Sequence, residues 1–150
     1  MATITFQNHP VKTCGELPAI GSLAPAFSLA NNELDNVTLQ TYAGKRKILS
    51  IVPSLDTPTC AASARKFNQK AASFDNTVIL VISADLPFAQ NRFCGAEKIE
   101  NVQTLSTFRN TKKFATDFGV SIEDTSLAGL TSRAVIVLDE NNVVLHSELV

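Results

Sequence analysis

Two continuous apolar runs constrain this chain more than any other feature. Ile48-Leu49-Ser50-Ile51-Val52 and Thr77-Val78-Ile79-Leu80-Val81-Ile82-Ser83 show almost no polar alternation. A strand with one wet face alternates polar and apolar residues. A run without alternation reads as a strand covered on both faces. Between the two runs, residues 61–74 are rich in helix formers, and Ala64, Phe67, Ala71 and Phe74 share one face by their spacing. Later in the chain, Ala134-Val135-Ile136-Val137-Leu138 and Val143-Val144-Leu145-His146-Ser147 flank a turn at Asp139-Glu140-Asn141-Asn142 and read as an antiparallel hairpin.

Shorter elements fill the rest. Residues 3–7 alternate and read as a strand, which Asn8-His9-Pro10 breaks. Residues 11–14 return as a second strand, giving an N-terminal β-hairpin. Residues 15–25 read as loop, 26–29 as a short strand, and 37–42 as one helical turn ending near Gly44. The basic cluster Lys45-Arg46-Lys47 reads as a solvated loop. Residues 87–93 read as a short helix leading to Cys94-Gly95, and 102–106 as a strand. Residues 111–118 suit a helix with Gly119 as its C-terminal cap. Strand, helix, strand, helix and a closing hairpin define an α/β fold with a mixed central β-sheet flanked by helices. A thioredoxin-like arrangement satisfies that order.

At 150 residues, with 45% hydrophobic and 18% charged residues, the chain reads as one folded domain. Its formal charge of −1 implies neither a nucleic-acid footprint nor a basic membrane surface. No apolar stretch approaches the ~20 residues needed to span a bilayer. The first residues lack a basic region followed by an apolar core, so no secretory signal is expected and the cytoplasm is the expected compartment. Three cysteines are too few and too scattered for a disulfide scaffold. In a reducing compartment they are candidates for catalysis or redox sensing.

Cys60 stands out among them. It follows the strand at 48–52 and the run Pro53-Ser54-Leu55-Asp56-Thr57-Pro58-Thr59. Thr57 fits a helix N-cap and Pro58 the first helical position, which puts Cys60 in the first turn. Unpaired backbone N–H groups and the helix dipole favour a negative charge there. The thiolate is the reactive form of cysteine, so this placement activates it.

Pro53, Thr57 and Cys60 form the spacing P-x-x-x-T-x-x-C, which resembles the active-site signature of peroxiredoxins. The segment from Val52 to Cys60, together with Asp85-Leu86-Pro87-Phe88-Ala89-Gln90-Asn91-Arg92-Phe93-Cys94-Gly95-Ala96-Glu97, resembles the thiol peroxidase branch of that family, of the atypical two-cysteine type. The likeness extends over nearly the whole chain. It implies that Cys60 is the peroxidatic cysteine, whose thiolate attacks a hydroperoxide and becomes a sulfenic acid. It implies that Cys94 is the resolving cysteine, which forms an intramolecular disulfide with Cys60, and that thioredoxin reduces that disulfide. Hydrogen peroxide and alkyl hydroperoxides are the implied substrates, no cofactor is called for, and a homodimer formed near the active-site loops is the implied assembly. Such proteins usually continue past the last strand into a C-terminal helix. This sequence stops at Val150, so the expected unit is a single thioredoxin-like domain over residues 1–150 without that helix.

Several residues read two ways. Thr57 is an N-cap, or a hydroxyl that bonds the Cys60 sulfur and the peroxide; one hydroxyl serves both. Pro53 ends the strand, or shields the sulfur. Arg133 is the guanidinium that the resemblance places beside the thiolate, although sequence physics singles out no arginine. Cys94 without the resemblance is a small buried hydrophobe, as is Cys14. A disulfide needs Cα atoms within roughly 7 Å, and two first helical turns need not lie that close. Resolution then calls for local unwinding around Cys60, Cys94 or both. Asp56 and Glu97 read as solvated or capping groups. His9 and His146 show no spacing to the cysteines that supports zinc. Two other classes compete with the peroxidase: a general thiol–disulfide oxidoreductase, disfavoured by the absent C-x-x-C, and a redox sensor sharing the first chemical step.

Overall fold

The computed structural model describes residues 3–6, 9–12, 16–55, 62, 65–68, 76–97, 102–122 and 131–149. β1 (Thr3–Phe6) and β2 (His9–Lys12) pair antiparallel as a separate ribbon, with Phe6 opposite His9 and Thr5 opposite Pro10. The expected hairpin forms, but His9-Pro10 belong to its second strand and do not break it. Proline is tolerated on edge strands, and a two-stranded ribbon has no other kind.

The main sheet holds β3 (Leu29–Ala30), β4 (Asn36–Val37), β5 (Arg46–Ile51), β6 (Thr77–Ser83), β7 (Gln103–Ser106), β8 (Ala134–Leu138) and β9 (Val144–Leu149). Its order is β4-β3-β7-β6-β5-β8-β9. β6 runs parallel to both β5 and β7, and every other pairing is antiparallel. The mixed sheet expected from the element order is thus present. A 3-10 helix (Leu39–Tyr42), α1 (Pro87–Glu97) and α2 (Thr111–Asp117) join the strands. Ala62 and residues 65–68 are also helical, within the helix expected over 61–74. No helix of the described residues is long and apolar enough to cross a membrane.

The apolar runs at β5 and β6 sort their side chains by period two onto two faces. Leu49, Ile51, Leu80, Ile82, Ala134, Ile136 and Leu138 face one core, which α2 covers with Phe114 and Phe118. There Phe114 and Phe118 stack at 4.6 Å between centroids, and Phe27 meets Phe114 edge-on at 6.3 Å. Ile48, Ile79 and Val81 face the other core with Val52, Leu55 and Val102, against which Phe67, Phe93 and Cys94 pack. Two covered faces are what continuous apolar strands require.

Gly119 ends α2 as expected, with φ +70° and its N–H on the Thr116 carbonyl. A Cβ there would collide with the Glu16 carbonyl, so both backbone conformation and space call for glycine.

Two expectations need correction. First, α1 continues past Phe93 to Glu97, so Cys94 is inside a helix and not beyond or at the start of one. The interior Gly95 costs about 1 kcal/mol against alanine, too little to end it. Second, Lys45-Arg46-Lys47 is not a solvated loop. Arg46 and Lys47 open β5, and Lys47 is completely buried. Its Nζ donates to the Lys45 carbonyl (3.0 Å) and to Asn142 Oδ1 (2.6 Å), which tethers the β8–β9 turn to the start of β5. Arg46 Nε adds a bond to Glu140 Oε1 in the same turn (2.7 Å). Burial pulls the Lys47 ammonium below its ordinary pKa, and the nearby carboxylates of Asp139 and Glu140 oppose that shift.

Replacing Lys47 by methionine strands both acceptors without changing the side-chain length much. K47M is expected to lower stability by about 1–3 kcal/mol, read from urea unfolding. Asn142 sits at φ +66°, so N142G removes the amide acceptor without backbone strain. The two changes together should cost less than their sum, and full additivity would rule out the tether.

Candidate active site

Parallel strands direct their carboxyl ends to one edge of the sheet, where open α/β folds build sites. β5 leaves the sheet at that edge. Val52 N–H donates to the Ile82 carbonyl (2.9 Å), extending the ladder, and the Thr131 hydroxyl donates to the Val52 carbonyl (3.0 Å). Pro53 follows, half-buried, as the chain bends out. β8 begins at the same place, because Ala134 lies in register with Ile51. Arg133, half-buried, directly precedes Ala134 and so stands at the same edge as Pro53. Pro53 and Arg133 are thus brought together by strand register across 80 residues of sequence. Cys60 and Thr57 lie outside the described residues, as do Asp56 and Cys14.

The connection from β6 to α1 closes the edge through Asp85, whose role the sequence reading missed. Its carboxylate accepts from Ser54 Oγ (2.7 Å), from the Leu55 N–H (2.7 Å) and from Ser83 Oγ (2.8 Å). Its carbonyl accepts from Ser106 Oγ at the end of β7 (2.5 Å), and that same oxygen receives the Phe108 N–H (3.2 Å). Gln90, fully buried on α1, donates from Nε2 to Ser83 Oγ (3.1 Å) and to the Leu105 carbonyl (2.9 Å). A continuous polar chain therefore runs from the segment before Cys60, through Asp85 and Ser83, to the helix that carries Cys94. The signal available in the sequence was slight: Ser83 and Asp85 at the end of an apolar strand, where polar side chains hold turns.

Cys94 is the eighth residue of α1, one turn beyond Gln90. Its half-buried thiol is a free cysteine and packs in the cluster with Val52, Leu55 and Phe67. Burial pushes its pKa up, and a hydrogen bond with Thr104 works in the other direction. The Thr104 hydroxyl proton is already given to Asn32 Oδ1 (2.8 Å), so little is left to stabilise a thiolate and burial prevails. The Cys94 thiol is therefore held above its ordinary pKa by burial.

A cavity of about 520 Å³ opens elsewhere, beside α2, with Phe27, Leu29, Asn36, Arg109, Lys113 and Phe114 in its wall. Its cations are engaged: Arg109 donates to Asn36 Oδ1 and the Leu34 carbonyl, and Lys113 to Asp117. None of the candidate residues that the structure describes lines it.

The described residues set a half-buried thiol on the helix after β6 of a mixed sheet, and comparison with known proteins gives the class of enzyme to which this arrangement belongs. The redoxin family model matches residues 19–150. A curated thiol peroxidase of Corynebacterium glutamicum is 49% identical over 150 residues, covering all of this chain and 90% of the relative. A solved peroxiredoxin-like protein from Aquifex aeolicus superposes with a TM-score of 0.91 at 33% identity, over 99% of this chain and 85% of that one. A thiol peroxidase from Chromobacterium violaceum does so with a TM-score of 0.91 at 25% identity, over the same shares. The chain belongs to the redoxin family, in its thiol peroxidase branch. It is a thiol-dependent peroxidase on a thioredoxin-like fold.

The environment of Cys94 has a measurable consequence. Alkylation of the native reduced protein, followed at Cys94 by peptide mass spectrometry, should rise with pH through a midpoint above that of an ordinary thiol. Urea should bring that midpoint down to the ordinary value, because unfolding returns the thiol to water. An unshifted midpoint in the native protein would contradict the burial argument.

Proposed function

We propose that Cys60 is the peroxidatic residue and Cys94 the resolving one. The observation that carries this reading is the shared apolar cluster: Cys94 packs in one core with Val52 and Leu55, which precede Cys60, and with Phe67, which follows it. The described residues on either side of position 60 therefore pack on the same face of the sheet as Cys94.

In this reading the Cys60 thiolate attacks the distal oxygen of a hydroperoxide. The O–O bond breaks, water or an alcohol leaves, and Cys60 becomes a sulfenic acid. Arg133 holds the thiolate and orients the peroxide by charge-assisted donors. Thr57 donates its hydroxyl to the reacting groups, and Pro53 keeps water from the sulfur. The Cys94 sulfur then attacks the sulfenic sulfur; the displaced hydroxide takes up the thiol proton and departs as water. α1 carries Cys94 beyond its Gln90 anchor and includes Gly95, so the last turns of the helix are the part that unwinds for the disulfide to form.

Thioredoxin, a dithiol reductant, returns the disulfide to two thiols, and hydrogen peroxide and alkyl hydroperoxides are the substrates. Residues 1–150 act as a single domain. A cytoplasmic setting fits a cycle that starts from reduced cysteines. The assembly is a homodimer. Leu86, Phe88 and Phe108 are exposed large apolar residues at the same sheet edge, held near one another by the Ser106 bonds to the Asp85 carbonyl and the Phe108 N–H. Such a patch on a small protein fits a second copy.

The cysteine roles are tested by substitution. C60S should abolish peroxide consumption, and C94S should consume one equivalent and accumulate sulfenic acid, detected by a dimedone adduct. Retained turnover in C60S would overturn the assignment. Steady turnover with thioredoxin separates this enzyme from a single-use sensor. For the assembly, F88D is expected to convert a dimer to a monomer in sedimentation velocity; a wild-type monomer would refute the dimer.

A further inference from the structure

We infer that Asp85 is a positioning residue for the peroxide reaction: its carboxylate fixes the segment that delivers Cys60 and ties it to the helix that carries Cys94. The inference rests on Cys60 being the peroxidatic residue.

The geometry is specific. Residues 54 and 55 follow β5 out of the sheet, and the Asp85 carboxylate receives a bond from each. Both of its carboxylate oxygens are used. Oδ1 accepts from the Ser54 hydroxyl, and Oδ2 accepts from the Leu55 backbone N–H and the Ser83 hydroxyl. A side-chain bond and a backbone bond on consecutive residues define both position and direction of the chain there. Bonds of a donor to an ionised carboxylate are short and strong, and these are 2.7–2.8 Å. Leu55 is itself buried in the Cys94 cluster, so its side chain and its N–H are both fixed.

Asp85 is anchored in turn. Ser106 holds its carbonyl, and Ser83, which it engages, is held by the buried Gln90 amide. Movement of α1 is therefore transmitted to residues 54–55 by way of hydrogen bonds. Only four residues separate Leu55 from Cys60. A reacting atom displaced by ~1 Å loses about a hundredfold in rate, so an anchor this close bears on reactivity. Asp85 touches no reacting atom in this account; it acts through the backbone it holds.

The test separates the two chemical steps by stopped-flow measurement on the reduced protein. D85A should slow oxidation of Cys60 by hydrogen peroxide at least about tenfold, while formation of the Cys60–Cys94 disulfide is not slowed, because the restraint on the segment has been released. D85N keeps one carbonyl acceptor and should recover most of the oxidation rate. A general loss of structure would not produce this split, since it would slow both steps and lower the urea midpoint. S54A removes the Ser54 hydroxyl bond to Asp85 and leaves the Leu55 N–H bond in place, so it should slow oxidation by a smaller factor and serves if D85A does not fold. Wild-type oxidation rates in folded D85A or S54A, or a parallel fall in both steps, would overturn the inference. Peroxide consumption that survives C60S would instead overturn the assignment of Cys60, and the two failures are told apart by that control.

Discussion

The structure depends on the burial of β5, β6 and β8 from both sides. Their side chains leave the sheet alternately, and each face demands its own cover. One face receives α2 and the Phe27, Phe114 and Phe118 rings. The other receives α1 and the helical residues around Phe67. Because the second cover is built from the elements that follow β5 and β6, the helix expected to start at Cys60 and the helix holding Cys94 share a face. The two-cysteine chemistry proposed above thus draws on a packing requirement.

Polar groups finish what packing begins. Hydrophobic contact brings elements together but does not fix a backbone to a few tenths of an ångström; hydrogen bonds with defined direction do. At the carboxyl edge that work falls to Asp85, Ser83, Ser106 and Gln90. At the opposite end of β5, Lys47 does the same for the β8–β9 turn. Both ends of β5 are therefore held by charged groups with backbone or amide partners. Between these ends the strand is apolar apart from Ser50.

Much of this was legible in the sequence. Continuous apolar runs identified β5 and β6, period and turn residues identified the β8–β9 hairpin, and glycine at a helix end marked Gly119. The placement of a cysteine after a strand, with threonine and proline before it, is the sequence argument for Cys60, which lies outside the described residues. What was not legible depended on partners far along the chain. Lys47 sits in a basic cluster that looks solvated, and only Asn142, 95 residues away, makes its burial tolerable. Asp85 looks like a turn residue until Ser54 and Leu55 arrive from 30 residues upstream. The extent of α1 was underestimated because Cys94-Gly95 looks like a stop, while the helix continues at modest cost. In each case a local rule was outweighed by a tertiary contact.

The central claim is that two cysteines on one face exchange between a packed reduced state and a locally opened disulfide state. Amide hydrogen exchange, measured on the fully reduced chain and on the chain oxidised with one equivalent of peroxide, tests it most directly. The account predicts that protection falls around position 60 and in the last turns of α1, and persists in β5, β6 and β8. Unchanged protection near both cysteines would contradict it.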